Sequence, residues 1–322
     1  MAGPASAAPV FVELAHEDDA ALRAELVRGL TAPAAQVAPK FLYGPLGSAL
    51  FDAITRLAEY YPTHTEAAIF AAQRDAIARA CGCGRPLVDL GAADCAKAAA
   101  LFDALQPSQY VAVDISVDYV RDALQRLQCS HPALPMLGVG MDFSAALDLP
   151  PQVGPGPRTL FYPGSSIGNF TPDEALVLLR RVRAACAGGA LLIGVDLVKP
   201  REVLEAAYDD ALGVTAAFDL NLLRNVNARL GADFDPRQWR HVAFFDARAS
   251  RIEMHLEARE PLTVRWPGGE RRFAGGERIH TENSYKYLRG DFEAMLRDAG
   301  FGRTQGWTDE RGWFVVFVAQ AG

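Results

Sequence analysis

Apolar residues fall along this chain in short bursts separated by glycine-rich or polar turns, and the bursts predict strands alternating with helices. Residues 86–90 (PLVDL) stop at Gly91, the pattern of a buried parallel strand feeding a tight turn. Helical spacing follows over 98–105, then a second strand, 110–114 (YVAVD), that ends on a carboxylate. A helix is predicted over 117–127. The third strand, 136–140 (MLGVG), runs into Met141, Asp142 and Phe143, and the fourth, 159–162 (TLFY), into the loop 163–169 (PGSSIGN). An amphipathic helix over 172–187 and a fifth strand over 190–195 (ALLIGV) complete the run. Such alternation predicts an α/β fold with a doubly wound, Rossmann-like parallel sheet and right-handed connections.

The alternation breaks after Val198. Residues 201–230 read as mostly helical and 241–259 as strands of alternating polarity, so this stretch reads as an insert. The doubly wound pattern resumes with a helix over 291–301, closed by Gly300, and two strands around 304–307 and 313–319. The expected division is a doubly wound domain of residues 63–198 and 287–322 and a smaller α+β domain, the candidate for binding a substrate, of residues 1–62 and 199–286.

Composition narrows the class. With 322 residues, half of them hydrophobic, the chain can bury a sizeable core. The net charge of -7 comes without a long run of Lys or Arg, which argues against a nucleic-acid partner. No leader-like start and no long uncharged apolar stretch appear, so no membrane partner is expected. Five cysteines without paired spacing fit a reducing cytoplasm, and six scattered histidines without HxxxH or HxH spacing give no reason to expect a metal. A monomer acting on a small molecule is the expectation.

Chemistry gathers at the strand ends. Gly91 opens a turn between a strand and a helix, the setting in which backbone approaches a nucleotide-like ligand closely. Asp114 ends the next strand about twenty residues on, where a carboxylate can accept both hydroxyls of a ribose. That placement suits NAD and S-adenosylmethionine alike. Its bland reading, a helix cap, competes with Ser116 for the same role. Asp142 and Phe143 offer a carboxylate and an aromatic face to an adenine, while an exposed turn is the alternative for Asp142. A pyrophosphate needs the second and third glycine of the dinucleotide fingerprint, and this loop lacks them. The balance therefore moves toward S-adenosylmethionine.

Separated segments carry a more specific signal: residues 40–43 (KFLY), 47–51 (GSALF), 54–63 (ITRLAEYYPT), 164–169 (GSSIGN), 207–210 (AYDD), 213–218 (GVTAAF), 251–254 (RIEM) and 281–284 (TENS). In this order the chain resembles the histidine Nα-methyltransferases of ergothioneine biosynthesis, from about Lys40 to the C-terminus. The resemblance implies a class I methyltransferase fold and S-adenosylmethionine held by Gly91, Lys97, Asp114, Asp142 and Phe143, with Tyr43 closing over it. It implies an amino-acid substrate on Tyr60, Asn169, Tyr208, Glu282 and Ser284. The chain departs from the family at the glycine loop, where Gly-Ser-Gly followed by Glu-Lys is expected and Gly91-Ala92-Ala93 and Ala96-Lys97 stand instead.

The residues themselves agree with that assignment. Glu282 and Ser284 are two apart, so in an extended segment both point one way and can hold the two edges of an imidazole, one N–H and one acceptor nitrogen. Their bland reading is a cap or surface role at the start of a helix near Tyr287. Asn169 and Tyr208 are suitable donors to a substrate carboxylate, against a loop residue and a packing residue as alternatives. Met254 and Phe218 read as core. No residue claims the role of acid or base, which direct transfer from an activated sulfonium does not require. The rivals are a related methyltransferase acting on another aromatic amino acid or amine, an NAD-linked oxidoreductase on the same sheet, and a non-catalytic ligand-binding module.

Overall fold

The computed structural model describes residues 8–14, 18–115 and 117–322; Ser116, the competing cap, lies outside them. In chain order the elements are β1 (Val10–Glu13), α1 (Asp19–Thr31), β2 (Ala35–Gln36), α2 (Pro45–Ile54), α3 (Tyr61–Cys81) and β3 (Leu87–Leu90). There follow α4 (Ala96–Ala99), α5 (Phe102–Leu105), β4 (Tyr110–Asp114), α6 (Val117–Ser130), β5 (Met136–Gly140), β6 (Thr159–Tyr162), α7 (Pro172–Ala185) and β7 (Ala190–Asp196). After these come α8 (Arg201–Ala206), α9 (Val214–Leu230), β8 (Trp239–Asp246), β9 (Arg251–Ala258), β10 (Leu262–Trp266), β11 (Gly269–Phe273) and β12 (Arg278–Tyr285). The chain ends with α10 (Arg289–Asp298), β13 (Thr304–Thr308) and β14 (Phe314–Gln320).

The chain forms two compact units. The first holds β1, Thr65–Leu197 and Tyr287–Gly322 around an eight-stranded sheet of order β1-β5-β4-β3-β6-β7-β14-β13. The first six strands of that order are parallel; β14 and β13 pair antiparallel. β3, β5, β6 and β7 are buried at every position, as strands covered on both faces must be, and so they read as unbroken apolar runs. Counted from β3, the strand order 3-2-1-4-5-7-6 with one reversed strand is that of class I methyltransferases. Because β3, β4, β5 and β6 run parallel, the loops after them all open at one end of the sheet, and the strand order reverses between β3 and β6, the place where ligands bind in open α/β folds.

The second unit joins α1 to His64 with Val198–Lys286. Its sheet, β2-β12-β9-β8, is antiparallel except for the β2–β12 pair. α9 lies against β8 and β9, and β10 and β11 make a separate hairpin. Even-numbered residues of β9 are buried and odd-numbered residues face out as far as His255, so one face of this sheet is core.

Three expectations differ from the structure. Residues 10–13 were assigned with all of 1–62 to the smaller domain, yet β1 pairs in parallel with β5 at the edge of the large sheet. The VFV run supplies the reason, because Phe11 lies over Gly138 of β5, where a Cβ would come within 2.6 Å of its ring. The helix expected over 98–105 is two short pieces, α4 and α5, broken at Ala100 and Leu101. The alternative reading of Glu282 and Ser284, a cap at the start of the helix near Tyr287, does not hold: that helix, α10, begins at Arg289 with Leu288 as its cap, and β12 runs to Tyr285, so both residues lie in a strand.

The β1 edge gives a direct test. Gly138→Ala should destabilise the protein by about 1–3 kcal/mol through overpacking against Phe11, and Phe11→Ala in the same chain should recover part of that loss. Urea unfolding of the three proteins measures it; equal losses from the single and double variants would remove the Phe11 contact as the cause.

Candidate active site

In the first unit, β3 delivers the chain to Gly91, whose φ of +73° a glycine takes without strain. The amides of Gly91 and Ala92 both donate to the Val113 carbonyl, at 2.8 and 3.1 Å. Ala93 N donates to Asp114 Oδ2 at 3.1 Å. The turn after β3 is thus pinned to the end of β4. An added Cβ on Gly91 would stand in ordinary contact with the Phe143 ring edge, at 4.0 Å, so this turn and Phe143 lie side by side. Phe143 is held edge-on to buried Tyr162, with centroids 5.6 Å apart. Gly91, Asp114 and Phe143 are therefore brought together, as the sequence predicts.

Asp142 lies in a tight side-chain turn, with its Oδ1 accepting from Ser144 N at 3.0 Å and Ser144 Oγ at 2.5 Å. That turn is the alternative reading of Asp142, and it fixes the loop that carries Phe143.

Lys97 meets a partner that the sequence reading missed. Its ammonium lies 2.7 Å from Oε2 of Glu66 on α3, while Oε1 of the same carboxylate accepts from Gly164 N at 2.7 Å. Glu66 is 1% exposed, and Gly194 of β7 lacks a side chain where a Cβ would strike its Oε1. One buried carboxylate so joins α3, α4, the loop after β6 and β7. A signal was present: Glu66, Ile69, Phe70 and Ile77 form one buried helical stripe, with a charge at its head. The loop after β6 turns through left-handed Gly164 and Ser165, at φ +75° and +58°, and Ser165 Oγ accepts from Asp196 N. It ends in the 3-10 turn Ser166–Asn169, which places Asn169 in the first unit.

Beneath the turn, Asp89 accepts a 2.8 Å hydrogen bond from Tyr110, and its Oδ1 has no hydrogen-bond partner. Burial, and after it the charge of Asp114, pushes its carboxyl up to about 7 against the pull of Tyr110.

The other predicted substrate residues lie in the second unit. Tyr208 packs edge-on to Tyr60 at 6.1 Å, Tyr60 on Phe51 at 6.2 Å, and Phe51 on both Tyr43 and Phe218 at 5.9 Å. Tyr43 is 39% exposed at the end of this aromatic row. Phe218 and Met254 are core, as predicted. Ser284 Oγ and Tyr208 OH are 2.7 Å apart, and Lys286 Nζ donates to both, at 2.7 and 2.9 Å. Lys286 was also missed, although it continues the two-residue spacing of Glu282 and Ser284. A register shift between His280 and Glu282 sets this spacing: before it odd-numbered residues face the core, after it even-numbered ones do.

Asp219 on α9, wholly buried, accepts from His241 Nδ1 at 2.7 Å, and the other ring nitrogen faces the Tyr208 carbonyl at 2.8 Å. Burial pulls the imidazole down, but the bond and charge of Asp219 and the Tyr208 carbonyl hold it above its ordinary range. The charge of Asp219 also reaches Glu282. Burial, then Asp219, raises the Glu282 carboxyl to about 8, and Lys286 opposes the shift.

On the outer face of the same sheet, ligand atoms of Glu253, His255 and His280 lie within 4.8 Å of one another, a grouping that HxH and HxxxH spacing does not reveal because His280 comes from the neighbouring strand. Hydrogen bonds join Arg251 to Glu253, Glu253 to His255, and His280 to Asn283. All five cysteines are free thiols, three of them buried and held at about 12 by that burial.

Two outcomes follow from this geometry. Ala93 sits at φ +46° where the resembled family has glycine, so Ala93→Gly should stabilise the protein by about 1 kcal/mol. A melting temperature that falls would show that the loop needs the methyl group. Glu282 holds a proton in the folded protein between its ordinary 4.5 and about 8, so stability should fall as pH rises through that window and stay lower above it. Glu282→Gln should flatten the slope between pH 5 and 8. His241 contributes a slope of the same sign above about 6.5 that the variant keeps. Urea midpoints across the range check this; an unchanged slope would mean that Glu282 titrates normally.

Residues 22–321 match the model of the family described as histidine-specific methyltransferase, SAM-dependent. The chain is 39% identical over 306 residues to a histidine N-alpha-methyltransferase of Mycolicibacterium smegmatis, covering 93% of this chain and 94% of that one. It is 37% identical over 307 residues to the protein of that name from Mycobacterium tuberculosis, with the same coverage. Ergothioneine biosynthesis protein 1 of Neurospora crassa is 28% identical over 85% of this chain and 32% of its own length. With the strand order and the Gly91–Asp114–Phe143 end of the sheet, these matches make the chain a member of the S-adenosylmethionine-dependent histidine-specific methyltransferase family.

Proposed function

We propose that this protein methylates the α-amino group of L-histidine, repeatedly, to the trimethylated betaine hercynine, as a step of ergothioneine biosynthesis. The observation that carries the proposal is the Glu282–Ser284–Lys286 row with Tyr208, a buried polar cluster whose groups can offer the edges of a small planar ring both an acceptor and a donor. The names of the relatives at 37–39% identity support it.

S-adenosylmethionine supplies a methyl group on a sulfonium, already activated for transfer. The residues present fit such a cofactor: a left-handed glycine turn at Gly91 beside Phe143, a carboxylate at Asp114 for two ribose hydroxyls, Asp142 for an adenine amino group and Phe143 for its face. Lys97, steadied by Glu66, places positive charge beside the same loops and suits the carboxylate of the cofactor's amino-acid end.

The chain's part in the reaction is to bind, orient and dehydrate. In the second unit, Tyr208 serves the substrate α-carboxylate, Tyr60 walls the site, and Glu282 with Ser284 reads the ring. Transfer needs the amine lone pair in line with the methyl group rather than a strong base, so holding both partners supplies most of the acceleration. Among the described residues no helix is long and apolar enough to cross a membrane, and the free thiols suit a reducing compartment. We place the protein in the cytoplasm as a monomer acting on a free amino acid.

Methyl transfer to histidine, assayed against the other common amino acids, tests the proposal. Asp114→Ala should weaken S-adenosylmethionine binding by about 1.5–3 kcal/mol in calorimetry, and an unchanged affinity removes Asp114 from the site. Glu282→Ala should lower kcat/KM for histidine by orders of magnitude and narrow its advantage over tryptophan, since sites that hydrogen-bond a substrate group discriminate by about 10⁴ or more. A histidine-to-tryptophan ratio equal to the parent's would mean that Glu282 does not read the ring.

A further inference from the structure

We propose that Glu253, His255 and His280 form a binding site for one divalent transition-metal ion of the zinc class, on the outer face of the second unit's sheet. The inference is independent of the histidine-binding reading, because these side chains stand on the face opposite Glu282 and Ser284.

Sheet geometry brings the three together. Glu253 and His255 are two apart on β9, so they point the same way, and His280 of β12 pairs directly with His255 across the ladder. Such cross-strand partners have Cβ atoms about 4.5–5.5 Å apart. One ligand atom from each of the three side chains lies within 4.8 Å of the other two. Nitrogen and oxygen ligands sit about 2.1 Å from a tetrahedral zinc ion and therefore about 3.4 Å from one another. Turns about the side-chain bonds close that difference. The donor set decides the class of ion: two imidazole nitrogens with one carboxylate oxygen suit Zn²⁺, Co²⁺ or Ni²⁺, whereas Mg²⁺ and Ca²⁺ prefer oxygen ligands throughout. Three protein ligands leave a further position to water.

The surroundings hold these ligands in place. His255 lies flat on Phe244 of β8, with ring planes 7° apart and centroids 5.4 Å apart. Arg251 Nε donates to Glu253 Oε1 at 2.9 Å, while Oε2 faces His255 Nε2 at 2.8 Å. Asn283 Oδ1 lies 2.9 Å from His280 Nε2. The Glu253 and His255 side chains are each 12% exposed, so water competes little for their polar atoms. The second nitrogen of His255, Nδ1, is buried and has no hydrogen-bond partner among the described residues. Glu253 alone thus leaves the ring half satisfied, a state that calls for an ion or a water. Two guanidinium groups oppose a cation here, Arg251 and Arg278, and their charge is met by Glu253 and Glu257. His280 is the last paired residue before the register shift in β12, so an ion ties β12 to β9 at the step that sets the phase of Glu282 and Ser284.

The test is calorimetry of tag-free, chelator-treated protein with zinc chloride, and with magnesium chloride as the contrast. Zinc should bind at one site per chain and raise the melting temperature, as a ligand of the folded state alone does; magnesium should do neither. His255→Ala and His280→Ala, each removing a ligand, should weaken zinc binding about tenfold or more and abolish the rise in melting temperature. Cys83→Ser combined with Cys129→Ser, which removes the two exposed thiols, should leave zinc binding at the parent's level. Should either alanine variant fail to fold, Glu253→Gln and His280→Gln decide by the same criterion. Zinc binding that survives loss of the histidines, that disappears with the two thiols, or that magnesium matches would overturn the proposal, as would the lack of a site at one ion per chain.

Discussion

The first unit depends on where it hides one negative charge. A carboxylate removed from water is costly unless donors surround it, and Glu66 is surrounded by an ammonium on one oxygen and a backbone N–H on the other. The consequences spread through the sheet end. Lys97 is held on the side of the glycine turn, the loop after β6 is held at Gly164, and β7 must carry Gly194 to leave room. A turn, a loop and a strand that are well separated along the chain are thereby given one common reference point. The left-handed residues Ala93, Gly164 and Ser165 are tolerable in such a setting because the surrounding bonds determine their conformation.

The second unit solves a related problem by sharing. Asp219 is buried against His241, and its charge is felt by Glu282 rather than cancelled completely. A carboxyl group raised to about 8 can both donate and accept a hydrogen bond near neutrality. Lys286 keeps the balance from tipping entirely to the protonated side.

The strands of the large sheet were legible because parallel strands buried on both faces appear as unbroken apolar runs, and Gly91, Asp114 and Phe143 stood at their ends. Glu282 and Ser284 were legible as a two-residue spacing, though whether they lay in a strand or at a helix start needed the structure. Glu66 was not read because a charge on a helix is ordinarily solvated, and only the buried stripe of Ile69, Phe70 and Ile77 marks it as inward. β1 was missed because three apolar residues near a terminus give too short a pattern to assign, while its partner, Gly138, is visible only as a gap in β5. Grouping Asn169 with Tyr208 came from matched segments, and those segments belong to different units of the chain.

The register shift in β12 has a consequence for how this sequence can change. Because the extra residue at Thr281 reverses the phase of alternation, His280 and Asn283 share the outer face while Glu282 and Ser284 share the inner one. Removing a single residue there would turn the strand over downstream, sending the Glu282 carboxylate to the outside and bringing Asn283 and Tyr285 inward. Point substitutions across the pocket can alter affinity by degrees, whereas a one-codon deletion at this position would exchange the two faces in one step. Chain length at Thr281 is thus as strict a requirement on a working descendant as the identity of any side chain beside it.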